Sequence, residues 1–285
     1  MATSSLIMLR DCFVPRNDKM KNMATTNKFI KRDPSTSKLF DERSLQRDYA
    51  TLASLLKPGL KVLDVGCGTG AISKDIAKII GPQGHIIGID NTGHFIESGK
   101  ETYKDVENLE LIHTDLFDFN PDEKFNLIVS ARTIQWLSNP QEAVAKMKGM
   151  LKPGGWLSVL DYDHTALAWT PEPPLSMRRF YATFLRWRSD AGMNNEVAED
   201  AKGFFEELGF QNIEVLNADE VYEKGQPNFE HKISIWSKVA AMNQIVEEGY
   251  ISDADRLQAI EDYNQWIATD AEQMIMKLKE TRGQI

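Results

Sequence analysis

Between Val62 and Gly70 the chain reads VLDVGCGTG, and this stretch limits what can be built around it. Val62, Leu63 and Val65 make a short apolar run of the kind found in buried parallel strands. Gly66, Gly68 and Gly70 follow at alternate positions, and Ile72, Ile76, Ile79 and Ile80 then recur at helical spacing. The order is therefore strand, glycine turn, helix. Glycines remove Cβ atoms where the backbone turns sharply, and they let a ligand lie against it. The free N–H groups and positive dipole end at the helix start suit an anion. Asp64, at the strand's end, can accept hydrogen bonds from a cationic or N–H-bearing ligand.

The run Asp64-Val65-Gly66-Cys67-Gly68-Thr69-Gly70 resembles the first motif, acid-x-Gly-x-Gly-x-Gly, of class I S-adenosylmethionine-dependent methyltransferases. A dinucleotide fingerprint, G-x-G-x-x-G/A, competes with it. Gly66, Gly68 and Ala71 fit that pattern, and Asp90 lies about as far on as a ribose-holding acid should. The glycines alone do not separate the two.

The rest of the chain does. His85–Ile89 predicts a second strand ending in Asp90, Asn91–Lys104 a helix, and Asn108–His113 a third strand leading into Thr114-Asp115-Leu116. Phe125–Ser130 predicts a fourth strand, and Asn139-Pro140-Gln141-Glu142 then opens a helix with a cap, a proline and an acid in order. Lys152-Pro153-Gly154-Gly155 precedes a fifth strand at Trp156–Leu160. That last turn is a well-marked feature of the methyltransferase family, and a dinucleotide dehydrogenase has no reason to share it. The resemblance covers residues 40–163 strongly and 200–222 weakly. It implies a Rossmann-like α/β fold, a mostly parallel twisted sheet with helices on both faces.

The resemblance also implies S-adenosyl-L-methionine as cofactor and a site for it. Asp64, Gly66, Cys67, Gly68 and Gly70 would form the cradle, and Asp90 with Asn91 would take the ribose. Asp115 and the Leu116 backbone N–H would take the adenine, and Ser130 closes the set on the fourth strand. Read without the family, Asp115 is a plain helix cap.

Bulk properties agree with a small-molecule enzyme. The chain has 285 residues, is 42% hydrophobic and carries a formal net charge of −9, which argues against a nucleic-acid partner. Its two cysteines, Cys12 and Cys67, offer neither a disulfide framework nor a metal cluster. No apolar run reaches transmembrane length. The expectation is a cytoplasmic protein with no metal and no membrane partner.

Residues 1–33 read as a loose basic arm, within which Asp11–Lys19 looks like translated bacterial repeat DNA, so that Met20 or Met23 is an alternative start. Residues 24–40 could instead form a flap over the site. Phe40–Leu56 reads as a helix before the first strand. The methyltransferase domain is expected over 34–227, with a helical insertion at 165–195. Within the insertion Leu175–Asp190 carries Met177, Phe180, Tyr181, Phe184 and Arg188 on one stripe. Because ligands in open α/β sheets sit beyond the carboxyl ends of the strands, this helix can roof a substrate; an ordinary core is the plainer reading. Glu199–Leu208 and Asn212–Leu216 follow as helix and strand, with Glu220–Glu223 a candidate antiparallel partner. Residues 228–285 read as a helical extension that packs on the domain or pairs with a second copy.

No catalytic base is assigned from the sequence. Gln135-Trp136-Leu137 resembles a segment of trans-aconitate and malonyl-carrier-protein methyltransferases, which esterify carboxylates, although packing against the following helix is the favoured reading of Trp136. Arg132, Gln135, Trp136, Tyr181 and Arg188 are the substrate candidates, with Arg178, Arg179 and Arg186 as further members of a carboxylate clamp. The expected reaction is in-line methyl transfer to a small molecule, at a carboxylate or hydroxyl oxygen. A quinone-type C-methyltransferase and a cofactor-binding assembly module are the alternatives.

Overall fold

A computed structural model describes residues 42–285. The expectations for the arm at 1–33, for the alternative start and for a flap at 24–40 lie outside the described residues. The region expected to form one helix before the first strand is instead two short pieces, α1 at Leu45–Asp48 and a 3-10 turn at Ala50–Leu55. Ser44 caps α1 through its hydroxyl, which accepts from the Arg47 N–H. Tyr49, between the two pieces, is buried and breaks the helix with a non-helical backbone, φ −153° and ψ 41°.

The strand–turn–helix unit forms as its residues dictate, with β1 at Lys61–Val65 and α2 at Ala71–Ile80. Then come β2 at His85–Asp90, α3 at Gly93–Thr102, β3 at Leu109–His113 and β4 at Phe125–Ala131. A 3-10 turn at Ile134–Trp136 leads to α4 at Pro140–Gly149, with Pro140 in the first turn where its missing N–H costs nothing. β5 runs from Leu151 to Thr170, well past the expected end at Leu160, and α5 follows at Leu175–Asp190. The expected insertion at 165–195 therefore begins inside a strand. The remaining elements are α6 at Val197–Glu207, β6 at Gln211–Asn217, β7 at Glu220–Glu223, α7 at Phe229–Ile233, α8 at Ile235–Ala240, α9 at Gln244–Glu247, α10 at Asp253–Thr269 and β8 at Gln273–Gln284.

The sheet order is β3-β2-β1-β4-β5-β8-β6, with β7 also paired to β8. β3, β2, β1, β4 and β5 are mutually parallel, and β8 runs antiparallel to β5, β6 and β7. β8 corrects the expectation of a C-terminal extension helical to its end. Met274, Met276, Leu278 and Glu280 alternate as buried positions along it, a period of two, and the long edge of β5 supplies its hydrogen bonds. Composition favoured a helix in this methionine- and lysine-rich stretch, and tertiary pairing overrode it. It also means that Glu220–Glu223 pairs with β8 and not with β6, and that 228–285 is no separable appendage.

Two apolar layers cover the sheet. Val62, Ile86, Leu127 and Val129 point into one, with α2, α5 and the helices of 229–269; Leu63, Val65, Ile128, Leu157 and Val159 point into the other, with α4 and α6. The apolar stripe of α10, which includes Tyr263 and Trp266, is buried within the same layer as α5. Strand order reverses between β1 and β4, so a crevice opens beyond their carboxyl ends, where ligands of such sheets bind.

Candidate functional site

The register places four strand ends side by side. Val65 of β1 lies opposite Ile89 of β2 and Ser130 of β4, and Asp90 lies opposite His113 of β3. This brings Asp64, the glycine turn, Asp90, Ser130 and Asp115 to one edge, as the sequence suggested.

Gly66, Gly68 and Gly70 have φ of +75°, +59° and +84°, left-handed values that side chains disfavour. The turn is pinned to β2, because the Gly66 and Cys67 N–H groups both donate to the Ile89 carbonyl at 2.8 and 3.1 Å. Asp90 orients the turn further. Its Oδ2 accepts from the Gly68 N–H at 3.0 Å and its Oδ1 from the Thr92 N–H at 2.8 Å, so a buried carboxylate is fixed with one lone pair per oxygen still to use. Asp64 is buried too and accepts the Ser73 hydroxyl at 2.6 Å. Burial pushes its carboxyl up to about 6, with the Asp90 charge adding and the Ser73 bond opposing.

Asp115 accepts the Phe117 N–H on Oδ1 at 2.9 Å, a local turn that leaves Oδ2 without a partner among the described residues. Leu116 is buried beside it, and Asn91 is exposed. The Ser130 hydroxyl donates to the Val65 carbonyl and ties β4 to β1. Burial raises the Cys67 thiol well above its usual range, which keeps it a neutral thiol. Thr69 Oγ1 in the turn and His94 Nε2 on α3 are buried polar atoms with no hydrogen-bond partner among the described residues.

A second group lies just past β4. Arg132 has a φ of +57°, which turns the chain sharply where the strand ends. Its Nε donates to Tyr162 Oη at 2.9 Å and its Nη2 to Glu220 Oε1 at 2.6 Å; Tyr222 Oη donates to Glu220 Oε2. Burial works against the Arg132 charge, but the Tyr162 and Glu220 oxygens outweigh it and raise its pKa. Gln135 is buried and fully engaged. Its N–H donates to Asp161 Oδ2, its Nε2 to the Arg132 carbonyl, its Oε1 meets His164 Nε2 at 2.5 Å, and its carbonyl accepts Arg188 Nη2 at 2.8 Å.

Arg188 comes from α5, with its guanidinium 4.7 Å above the Trp136 ring and its Nε donating to Asn195 Oδ1. Burial lowers its pKa to about 10, despite the Asp161 charge. Tyr181 Oη donates to the His164 carbonyl at 2.5 Å. So Arg132, Gln135, Trp136, Tyr181 and Arg188 do converge. Arg178, Arg179 and Arg186 do not: all three are exposed, with Arg178 paired to Glu172 and Arg186 over the Tyr250 ring, because they lie on the outer side of α5.

Sequence reasoning passed over Asp161, Tyr162, His164 and Glu220. The polar run Asp161-Tyr162-Asp163-His164 at the carboxyl side of a strand was a usable signal. For Glu220 there was none, since β8 alone carries it to Arg132.

A family model described as a methyltransferase domain matches residues 56–226, more than half of the chain. The demethylmenaquinone methyltransferase of Staphylococcus aureus (strain JH9) is 27% identical over 196 residues, covering 62% of this chain and 78% of that protein. Among solved structures, phosphoethanolamine N-methyltransferase 2 of Haemonchus contortus, in complex with S-adenosyl-L-methionine, superposes with a TM-score of 0.53 at 16% identity, over 84% of this chain and 52% of that one. The YcgJ protein of Bacillus subtilis has the same score and identity, over 84% of this chain and 97% of that one.

Proposed function

This chain belongs to the methyltransferase domain family, and from that premise we propose which residues hold the cofactor and what kind of acceptor is methylated. The protein is an S-adenosylmethionine-dependent methyltransferase with the Rossmann-like class I fold.

The strand-end residues fit that cofactor. It is a nucleoside with two ribose hydroxyls, an adenine amino group and a cationic sulfonium-amino acid arm. Asp90, held by two backbone N–H groups, has free lone pairs for the hydroxyls. Asp115 Oδ2 is open for the amino group. Asp64 and the glycine turn receive the cationic arm, and the unpartnered Thr69 hydroxyl lies in the same turn. When bound, the cofactor supplies an electrophilic methyl group. The chain's task is to orient a nucleophile and keep water away. Ser130 and Asn91 contribute through backbone and shape, since the Ser130 hydroxyl is already used within the sheet.

The acceptor reading rests on one observation. Arg132, whose carbonyl accepts from the Gln135 amide, and Arg188, whose Nη2 donates to the Gln135 carbonyl, are both buried, and each has an Nη1 with no hydrogen-bond partner among the described residues. A buried donor left unpaired costs about 1–3 kcal/mol, more when charged, so these two groups favour an oxygen acceptor between them. The substrate is then a small molecule with an anionic or ionisable oxygen, a carboxylate or a hydroxyl. Tyr181, Phe184 and Trp236 pack together as an apolar cluster on the same side of the sheet. A quinol methylated on carbon is the second reading, supported by the demethylmenaquinone methyltransferase relatives. Pairing of two copies through the C-terminal helices gains little support from α10, whose Tyr263, Trp266 and Ile267 are covered within the chain and which exposes Leu257. The expected cytoplasmic setting is consistent with the described residues, among which no helix is long and apolar enough to cross a membrane.

The test is single-turnover methylation with labelled cofactor across small carboxylic acids, phenols and quinols. Arg132→Ala and Arg188→Ala should each lower transfer about 10- to 150-fold, equivalent to about 1.5–3 kcal/mol for a charged hydrogen bond, with cofactor affinity unchanged. Full activity in both variants would remove the arginines from the acceptor site.

A further inference from the structure

The neighbourhood of Gln135 contains one titratable group that the reading above does not use. His164 is 6% exposed, and its Nε2 lies 2.5 Å from Gln135 Oε1. The direction of that bond follows from its neighbours. Gln135 Nε2 donates to the Arg132 carbonyl, so the atom facing His164 is the amide oxygen, an acceptor. His164 Nε2 must then carry the proton. In a neutral imidazole this leaves Nδ1 as a bare lone pair, and Nδ1 has no hydrogen-bond partner among the described residues.

We propose that His164 is the general base of the methyl transfer, its Nδ1 taking the proton from the hydroxyl of an aromatic or enolic acceptor. The inference rests on the acceptor reading above and narrows it, since a carboxylate needs no base. Three observations carry it. Gln135 connects His164 to the cofactor side, because Thr133 beside it lies against Gly66 of the glycine turn. Rings fix the plane of the imidazole, with Tyr162 tilted against it and Phe184 and Trp236 edge-on, their centroids at 5.4, 6.0 and 6.2 Å. Burial and then the Arg188 charge hold its pKa well below the usual value, which keeps the Nδ1 lone pair free before transfer and drives the proton off the imidazolium afterwards, while opposing its uptake. The other groups around it are Tyr181 on α5 and Asp161, Tyr162 and Asp163 on β5.

The step balances. The acceptor O–H proton moves to Nδ1, the acceptor oxygen or its conjugated carbon bonds the methyl group, and the sulfur–methyl bond breaks with its electron pair left on sulfur; after attack by carbon, the proton on that carbon then leaves to solvent and the oxygen regains one, restoring the hydroxyl. The positive charge that began on the sulfonium ends on the imidazolium, which returns its proton to solvent.

Two measurements on the full chain test this. Nitrogen NMR on histidine-labelled protein, with His164 identified by its loss in His164→Asn, should show protonated Nε2 and bare Nδ1, and adding phenol should shift Nδ1. A protonated Nδ1 overturns the proposal, whether or not any acceptor is found. Single-turnover rates at pH 7 should then show His164→Asn and His164→Gln losing at least 100-fold more rate on a protonated phenol or quinol than on an acceptor already ionised at that pH, as general-base catalysis contributes about 10²–10⁴-fold. Equal losses on both acceptors mean that His164 only positions Gln135, and overturn the assignment as well. Failure of the wild type to methylate any oxygen or quinol acceptor would instead count against the acceptor reading, leaving the NMR result to decide on His164.

Discussion

Gly66 and Thr133 are packed so closely that a Cβ on Gly66 would fall 2.2 Å from Thr133 Oγ1 and 2.4 Å from its Cγ2. The contact joins the glycine turn after β1 to the segment after β4 that carries Arg132 and Gln135. The two halves of the site are therefore set against each other by one missing side chain.

Gly66→Ala should destabilise the protein by two separable routes. The left-handed φ of +75° costs about 1–2 kcal/mol for a residue with a Cβ. Overpacking against Thr133 adds about 1–3 kcal/mol. Adding Thr133→Ala should recover the second part only. Urea unfolding of the single and double variants measures both, and a Gly66→Ala protein as stable as wild type would contradict the packing described.

Asp90→Ala removes the anchor for two backbone N–H groups as well as a charged partner for the ribose. Cofactor affinity should fall by about 1.5–3 kcal/mol, roughly 10- to 150-fold in Kd. Calorimetry on the folded variant is the check. Unchanged affinity would take Asp90 out of the cofactor site.

Asp64 should make stability depend on pH in an unusual direction. Its carboxyl rises from 3.8 to about 6 on folding, so the native state binds the proton more tightly than the unfolded chain. The stability this group contributes is full below pH 3.8 and is lost as pH rises to about 6, a change of about 3 kcal/mol. Asp64→Asn lacks this loss. Denaturant unfolding of both proteins between pH 4 and 7 should show wild type falling relative to the variant, and parallel curves would refute the shift.

β8 should behave as core and not as an appendage. Leu278 is fully buried in it, so Leu278→Ala should cost about 2–5 kcal/mol. Leu257→Ala, half-exposed on α10, should stay within about 0.5 kcal/mol. Removing residues 273–285 takes away the one strand that, among the described residues, pairs β6 and β7, and should leave no cooperative thermal transition.

The parallel half of the sheet was legible because its signals are local. A short apolar run followed by glycines can only be a buried strand and a sharp turn, and an isoleucine spacing of three and four can only present one helix face. Those patterns set β1 to β4, α2 and the strand-end acids, and with them the cofactor. The antiparallel half was not legible. Residues 273–284 have the composition of a helix, and they became a strand because the long edge of β5 offered unpaired N–H and C=O groups over its whole length. The acceptor cluster has the same origin. Arg132 and Arg188 could be picked out as charged residues near strand ends, but their pairing with Glu220 and Gln135 joins segments 88 and 53 residues apart. Burial then makes those contacts matter, since a guanidinium or imidazole withdrawn from water must take its partners from whatever the fold brings beside it. The sequence by itself determined the strand–turn–helix unit and the acids that follow it; the closing of β8 against β5, and the side chains it gathers around Gln135, were decided only by the tertiary structure.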